Sequence, residues 1–331
     1  MAVTGTRRIG IASMGGTIVM QQGKDEGLVP TLDPADLVSG VPELRGLVSV
    51  TVETISKVGS PSIRFADVVR AFGWARRAVD DGAVGVVVTH GTDTLEETAF
   101  LLDLWWDRPA PLVVTGAMRS PGESGADGPA NLLAAVLTAI AAESRDRGVL
   151  VVMNDEVFAA SAVTKTRSFG VDAFTSPLGA LGRVRELQVE YALNLAAPRP
   201  APLPVPAGSV WVPIVPTPLG EDERTLDAVV GAGADGVVLE GVGAGHVPES
   251  TVPAVVRAVG RVPVVMASRT RRGRTGRTTY AYPGAEIDLL QRGVLMSGHL
   301  NATQSRLLLW SLLASGITER GRIEAEFARR G

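Results

Sequence analysis

The amino-acid sequence predicts an α/β protein. A larger N-terminal domain with a mainly parallel sheet flanked by helices is joined by a proline-rich linker to a smaller α/β C-terminal domain. Short apolar runs alternate with amphipathic segments, which indicates βαβ units. One run, VGVVV at 84–88, is rich in β-branched residues, as expected of a strand buried on both faces. The segment APRPAPLPVPAG at 197–208 interrupts this alternation, which then resumes.

In the first domain, strands are predicted where short apolar runs occur and helices where apolar residues recur at spacings of three and four. The predicted strands are 8–13, 47–55, 84–88, 112–115 and 149–153, and the predicted helices are 65–79, 94–106 and 129–143. Glu96 and Glu97 lie in the first turn of the helix at 94–106, where acidic side chains complement the helix dipole.

The five prolines of 197–208 cannot continue a helix or a central strand, so this segment is the predicted linker between domains 1–196 and 209–331. In the second domain the same patterns recur. The predicted strands are 210–215, 236–240 and 262–266, and the predicted helices are 224–231, 250–259, 285–292 and 302–314.

Composition excludes several classes of protein. The 331 residues include no cysteine, which excludes disulfides, thiolate metal sites and a cysteine nucleophile. His90, His246 and His299 lie far apart in sequence, and we expect no metal and no cofactor. A net charge of −3 argues against nucleic-acid binding. No apolar stretch approaches the roughly 18 residues of a membrane span, and no signal-peptide pattern occurs, so we expect a cytoplasmic protein.

Three polar motifs follow predicted strands: SMGGTI at 13–18, THGTDT at 89–94 and VTKT at 163–166. Paired glycines let the backbone turn sharply beside a ligand, and the carboxyl edge of a parallel sheet is where open α/β folds bind ligands. The first motif places the Thr17 hydroxyl there. The second motif is also typical of a helix N-terminus capped by Thr92 or Asp93. His90 is then interpreted as a structural histidine.

The third motif contains Lys165, one of three lysines in the chain. A lysine between threonines is usually solvated, whereas a buried lysine near a hydroxyl can act as a base. Spacing alone does not bring Lys165 to Thr92.

Taken together and in order, the motifs resemble those of the L-asparaginase/glutaminase family, the amidohydrolases with a threonine nucleophile. The resemblance covers nearly the whole chain, and the block THGTDTLEET is its most specific part. The other matching segments are ASMGGTI, TGAMR, GVLVVMNDEV, VTKTRSFGVDAF, DGVVLEGVGAGHVP and GVLMSGHLNATQSRLLL.

The resemblance implies that Thr17 attacks the side-chain amide carbonyl of the substrate, with Thr92 as the alternative nucleophile. It also implies a hydrogen-bonded group of Thr92, Asp93 and Lys165. A hydroxyl needs a base within reach, which Lys165 can supply directly or through a water. Asp93 can orient Lys165 and hold the substrate's α-ammonium group.

Further substrate contacts are implied at Gly16, whose backbone can approach the ligand, and at Ser60, which matches the family serine that holds the α-carboxylate. The next residue is often polar in the family, whereas Pro61 has no donor. The loop at 19–31 lacks the tyrosine that usually closes over the substrate.

In many members of the family an asparagine and a glutamate from a neighbouring subunit complete the site. His246 takes the place of that asparagine, and the glutamate position falls in the variable stretch 270–286. The segment 269–277 holds five arginines. One interpretation is a solvated loop. The other is that an arginine of this segment, or Tyr280, contacts the substrate bound in a neighbouring subunit. The resemblance implies a homo-oligomer, a dimer or a dimer of dimers (homotetramer).

The predicted reaction is therefore hydrolysis of L-asparagine to L-aspartate and ammonia through a threonine acyl-enzyme. The same mechanism acting on L-glutamine, or on the amide of a modified amino acid or metabolite, is the alternative, because Pro61 and His246 alter the recognition residues. A non-enzymatic amino-acid-binding relative is a third possibility. A subunit of a tRNA-linked amidotransferase is disfavoured because the chain has no basic excess.

Overall fold

The structure is a computed structural model that describes residues 7–22, 28–30, 33–193, 199–270 and 272–331. The chain divides into two compact units, Met1–Pro202 and Leu203–Gly331. Each unit contains a sheet with helices, and the sheet of the first unit is mainly parallel, so the predicted fold class is confirmed. Residues 197 and 198 of the predicted linker lie outside the described residues.

The described part of the first unit contains twelve strands. They are β1 (Arg7–Gly15), β2 (Met20–Gln22), β3 (Leu28–Pro30), β4 (Val48–Val58), β5 (Gly85–Thr89), β6 (Leu112–Thr115), β7 (Val149–Met153), β8 (Glu156–Ala159), β9 (Thr164–Lys165), β10 (Phe174–Thr175), β11 (Gly182–Arg185) and β12 (Gln188–Tyr191). Eight of them form one sheet in the order β12-β11-β8-β7-β6-β5-β1-β4. From β7 to β4 neighbouring strands are parallel, while β8, β11 and β12 continue the sheet antiparallel.

The helices of the first unit are α1 (Pro34–Ser39), α2 (Phe65–Asp80), α3 (Leu95–Trp105) and α4 (Gly128–Ile140). Strands β5, β6 and β7 are buried at every position, and the run at 84–88 predicted this for β5. The core on one side of this sheet combines residues of β1, β5, β6 and β7 with the apolar side chains of α4. Burial of such aliphatic side chains contributes about 1.5–3 kcal/mol each.

The second unit contains β13 (Ile214–Pro216), β14 (Val237–Gly241), β15 (Val264–Ser268) and β16 (Leu295–Met296), which form one parallel sheet in chain order. Its helices are α5 (Glu223–Gly231), α6 (Val252–Val259), α7 (Glu286–Gln291), α8 (Ala302–Ala314) and α9 (Arg320–Arg330). Helix α8 begins with a capping box, in which Asn301 and Gln304 each accept the other's backbone N–H. Among the described residues, no helix combines the length and the apolar character needed to cross a membrane.

Some elements differ from the prediction. The helix predicted at 129–143 ends at Ile140 and is followed by a separate 3₁₀ turn, Ala142–Ser144. The antiparallel hairpin of β11 and β12 was not predicted. Its turn places Glu186 and Leu187 at φ values of 48° and 62°, and these residue types do not signal a left-handed turn.

Two glycines shape the carboxyl edge of β1. Gly15 and Gly16 have φ values of 90° and 88°. A Cβ added to Gly15 would lie 2.3 Å from the carbonyl oxygen of Val58, and one added to Gly16 would lie 2.2 Å from Cα of Gly91. Both positions therefore require glycine for conformational and for steric reasons.

His90 lies directly after β5 and is completely buried. Its Nδ1 lies 2.7 Å from the carbonyl oxygen of Gly91, and its Nε2 lies 2.9 Å from Oγ1 of Thr98 in α3. Burial lowers the pKa of the imidazole to about 4, although the bond to Gly91 partly opposes this shift. His90 is therefore neutral near pH 7 and ties the turn after β5 to α3.

We predict that Gly16→Ala lowers the free energy of unfolding far more than Gly46→Ala. Gly46 also has a positive φ, 78°, but an added Cβ there meets nothing within 4 Å. The control should cost about 1–2 kcal/mol of backbone strain. Gly16→Ala should cost about 3 kcal/mol or more, because the methyl group must displace the Gly91 backbone. Urea denaturation measures both values, and equal losses would contradict the close approach.

We also predict that stability falls as the pH decreases from about 6.5 to about 4 because of His90. The pKa of its imidazole in the folded protein is about 4, below the value of about 6.5 in an unfolded chain. The unfolded state thus takes up a proton in this range that the folded state does not. The wild type should lose about 3 kcal/mol more than His90→Gln between pH 7 and pH 4. Parallel losses in the two proteins would refute this assignment.

Candidate active site

Three turns meet at the carboxyl edge of the large sheet, because β5, β1 and β4 are adjacent and parallel. They are the Gly15–Gly16 turn after β1, the Ser60 turn after β4 and the Gly91 turn after β5. A Cβ added to Gly91 would lie 2.8 Å from both Cβ and Oγ of Ser60 and 3.0 Å from Cα of Gly16. Residues far apart in sequence thus come into direct contact.

Thr17 begins a 3₁₀ turn, Thr17–Val19, directly after Gly16. Thr17 is half-buried, whereas Ile18 and Val19 are buried in a small apolar cluster with Ala117. The apolar residues anchor the turn, and Gly16, which directly precedes Thr17, lies against the Gly91 backbone.

Ser60 links the turn after β4 to the turn after β5. Ser60 is buried, and its Oγ accepts the backbone N–H of Asp93 at 3.2 Å. Thr94 Oγ1 donates to the Ser60 carbonyl oxygen at 2.8 Å. The Ser60 hydroxyl keeps its own proton for donation. Pro61 follows in the same 3₁₀ turn, is exposed, and offers no N–H, as the sequence indicated.

Lys165 lies between Thr92 and Asp93. Its Nζ is 2.9 Å from Thr92 Oγ1 and 2.7 Å from Asp93 Oδ1. The Lys165 side chain is 14% exposed and that of Asp93 is 61% exposed, while Thr92 is buried. Spacing in sequence could not establish this group, because 72 residues separate Lys165 from Asp93.

Glu96 makes a contact that was not predicted from the sequence. Its carboxylate accepts the backbone N–H of Lys165. The sequence assigned Glu96 only a favourable interaction with the helix dipole of α3. No local pattern can reveal its bond, because Glu96 and Lys165 are 69 residues apart.

A second unpredicted contact lies on the loop after β6. A Cβ added to Gly116 would be 3.3 Å from Cγ2 of Thr92, so this loop lies against Thr92. Asn131 in α4 donates to the Gly116 carbonyl oxygen at 3.0 Å. Asp127 accepts the backbone N–H groups of Met118 and Arg119. These two side chains fix the loop in place.

His246 and Tyr280 belong to a side-chain cluster of the second unit. His246 Nε2 lies 2.9 Å from a carboxylate oxygen of Glu286, and Tyr282 Oη lies 2.8 Å from Nδ1. The rings of Tyr280 and Tyr282 pack edge-on against the imidazole at centroid distances of 5.3 and 5.6 Å. Both tyrosines are exposed, whereas Glu286 is buried.

Glu286 is the buried acid of this cluster. Burial alone would raise the pKa of its carboxyl, but hydrogen bonds lower the pKa below its usual value. The donors include the backbone N–H groups of Tyr280, at 2.7 Å, and Thr279, at 2.8 Å, together with His246. A carboxylate held in this way fixes the imidazole of His246.

The remaining predicted contacts concern two segments that the structure describes in part. In the segment 269–277, Arg269, Arg272, Arg274 and Arg277 are exposed, and residue 271 lies outside the described residues. Of the loop 19–31, residues 23–27 and 31 lie outside the described residues, and β2 pairs antiparallel with β3. Over the described chain, no three His, Asp or Glu side chains form a group that could hold a metal ion.

Family models match most of the chain. The model described as "Asparaginase, N-terminal" matches residues 8–197. The model described as "Glutaminase/Asparaginase C-terminal domain" matches residues 212–327.

Three related proteins illustrate the similarity. A "Probable L-asparaginase" of Deinococcus radiodurans is 35% identical over 93% of this chain and 94% of its own. A "Probable L-asparaginase periplasmic" of Haemophilus influenzae is 36% identical over 82% and 78%. The crystal structure of a "Probable Cytoplasmic L-asparaginase" from Campylobacter jejuni superimposes with a TM-score of 0.86 at 29% identity, covering 98% and 99% of the two chains. The chain therefore belongs to the asparaginase family and is an amidohydrolase of that family.

Proposed function

We propose that this protein hydrolyses the side-chain amide of L-asparagine to L-aspartate and ammonia through an acyl-enzyme on Thr17. The observation that carries the proposal is the position of Lys165 Nζ, within 2.9 Å of both Thr92 and Asp93. This group adjoins the Gly16–Thr17 turn through the contact of Gly16 with Gly91. The names of the related asparaginases support the choice of substrate.

The proposed reaction has two steps. Thr17 Oγ1 attacks the amide carbonyl carbon while its proton passes to the neutral amine form of Lys165, directly or through Thr92 or a water. Backbone N–H groups near Thr17 and Thr92 stabilise the oxyanion. The carbon–nitrogen bond then breaks, and the leaving nitrogen takes this proton from Lys165 and departs as ammonia. Water hydrolyses the resulting ester, which yields the carboxylate and restores the Thr17 hydroxyl.

The α-carbon end of the substrate is assigned to the residues around Ser60. The exposed Asp93 carboxylate can accept hydrogen bonds from the α-ammonium group, and the Ser60 hydroxyl can donate to the α-carboxylate. Gly16 lets the main chain lie close to the ligand. Pro61 removes one potential donor.

Thr92 is the alternative nucleophile. Its contact with Lys165 favours it, because a hydroxyl that touches the base directly transfers its proton without a relay. Both routes use the same base and give the same products, so they differ only in the threonine that carries the acyl group.

L-Glutamine, or the amide of a modified amino acid or metabolite, is the alternative substrate. Pro61 and the His246 cluster, in which aromatic rings surround the imidazole, favour it. When one substrate leaves a buried polar group of the site without its hydrogen-bond partner, the ratio of kcat/KM between the two substrates changes by a factor of about 10² or more. The third possibility, a non-enzymatic binding protein, gains no support from the Lys165 group.

We further propose a homo-oligomer, a dimer or a dimer of dimers, in which His246 and Tyr280 of one subunit contact the substrate held by Thr17 of its neighbour. The buried Glu286 supports this role because it fixes His246 while the neighbouring tyrosines remain exposed. The name of the Campylobacter jejuni protein includes "Cytoplasmic", whereas that of the Haemophilus influenzae protein includes "periplasmic". The cytoplasmic location stays a prediction from the sequence.

Thr17→Ala should lower kcat by at least about 10³-fold, because the nucleophilic oxygen is lost. Ammonia or amine release is measured with L-asparagine, L-glutamine and N-substituted amides. The exposed Thr51 provides a matched control, since Thr51→Ala removes the same atoms away from the site. Peptide mapping after an acid quench identifies the acylated threonine. A wild type that releases nothing from any amide would refute the proposed function.

Mixing Thr17→Ala with His246→Ala protein should restore activity if each site is shared between subunits. In a hybrid, one site combines Thr17 of one subunit with His246 of the other, and both residues are then intact. The rate of the mixture, after joint unfolding and refolding, should exceed the sum of the separately treated variants at low substrate concentration. A merely additive rate, or a purely monomeric protein on size-exclusion chromatography, would contradict the shared site.

A further inference from the structure

We infer that Glu96 is a positioning residue for Lys165, so that its carboxylate sets the placement of the proposed base by holding the backbone of β9. The inference rests on the proposed function, because it assigns Glu96 a part in the same reaction. The observation behind it is the hydrogen bond from the Lys165 backbone N–H to the Glu96 carboxylate.

Strand β9 needs such an anchor. It is two residues long and pairs with β10 in a separate two-stranded sheet, through Lys165 opposite Phe174 and Thr164 opposite Thr175. Its ladder therefore does not join the large sheet that carries Thr17 and Thr92. Isolated two-stranded pairs are marginally stable, so this ladder alone gives weak control over the position of Lys165.

Glu96 connects β9 to the rigid part of the site. It lies in the first turn of α3, three residues after Asp93. The same segment is held through Thr94 Oγ1, which donates to the Ser60 carbonyl oxygen at 2.8 Å. Lys165 is thus attached to this segment at two points: its backbone N–H bonds Glu96, and its Nζ bonds Thr92 and Asp93.

A two-point attachment matters because lysine has a flexible four-carbon stem. With the backbone nitrogen fixed, fewer side-chain conformations compete with the one that reaches Thr92. A displacement of reacting groups by 1 Å can lower a rate by about 10²-fold. The first turn of α3 also favours a negatively charged acceptor, because the helix dipole stabilises a carboxylate there.

The expected result of Glu96→Ala is a fall in kcat of about 10-fold to 10²-fold, with KM changed by less than about threefold. Substrate binding is spared because the bond from the Asp93 backbone N–H to Ser60 Oγ does not involve Glu96 or Lys165. Glu96→Gln keeps an oxygen acceptor for the Lys165 N–H and should stay within about fivefold of the wild type. Glu97→Ala is the matched control, since it removes a carboxylate from the same helical turn.

Hydrogen exchange at the Lys165 amide tests the contact independently of activity. Exchange should be at least about tenfold faster in Glu96→Ala than in the wild type, and unchanged in Glu97→Ala. If the wild type releases nothing from any amide, the proposed function fails, yet unchanged exchange in Glu96→Ala would still overturn the anchor. If the wild type is active, wild-type kcat in Glu96→Ala overturns the positioning role. Equal losses in Glu96→Ala and Glu97→Ala also overturn it, because they indicate general weakening of α3.

Discussion

The close approach of the Gly16 and Gly91 backbones is the contact on which the rest of the site depends. Parallel pairing of β5 with β1 sends both turns to the same edge of the sheet, but side chains at these two positions would hold the turns apart. Because both residues are glycines, the turn that carries Thr17 rests directly on the turn that carries Thr92. Ser60 then packs against Gly91 and joins the third strand, β4, to the same group.

In the proposed function, bond breaking and substrate recognition depend on different residues of this protein. The proposed bond-breaking group combines Thr17 and Thr92, which lie on turns at the edge of the large sheet, with Lys165, which lies on β9. Under the same proposal, the contacts with the α-carbon end of the substrate differ at Pro61, which offers no N–H donor, and at His246. The first set can remain intact while the second changes, because specificity is a difference between binding energies and not a requirement of the bond-breaking step.

The sequence predicted the parts of the fold that depend on local pattern. Three consecutive valines, 86–88, form the centre of β5, and a strand buried on both faces needs such an apolar run. The hairpin of β11 and β12 was missed because Glu186 and Leu187 occupy left-handed turn positions without the usual glycine or asparagine. By contrast, Asn154 and Asp155 form a left-handed turn between β7 and β8 with residue types that tolerate it, so a signal for that hairpin was present.

The site residues were predicted by resemblance, whereas the contacts between them were not predictable from spacing. Glu96 illustrates the reason: its contact with Lys165 depends on β9 returning to α3 after 69 residues, and no local pattern encodes that return. The same holds for Asn131, whose amide reaches the loop beside Thr92 only because α4 packs on the sheet. Tertiary contacts of this kind have no local signature.

The distribution of histidines bears on the identity of the base. His90 is the one histidine of the sequence within residues 1–202. Both of its ring nitrogens already have partners, and burial lowers the pKa of the imidazole to about 4. It is therefore neutral and committed to the backbone of Gly91 and to Thr98, although it lies two residues from Thr92. Within the described part of this unit, the Nζ of Lys165 contacts a threonine hydroxyl of the site, so the proposed mechanism takes a lysine as the base where many hydrolases use histidine.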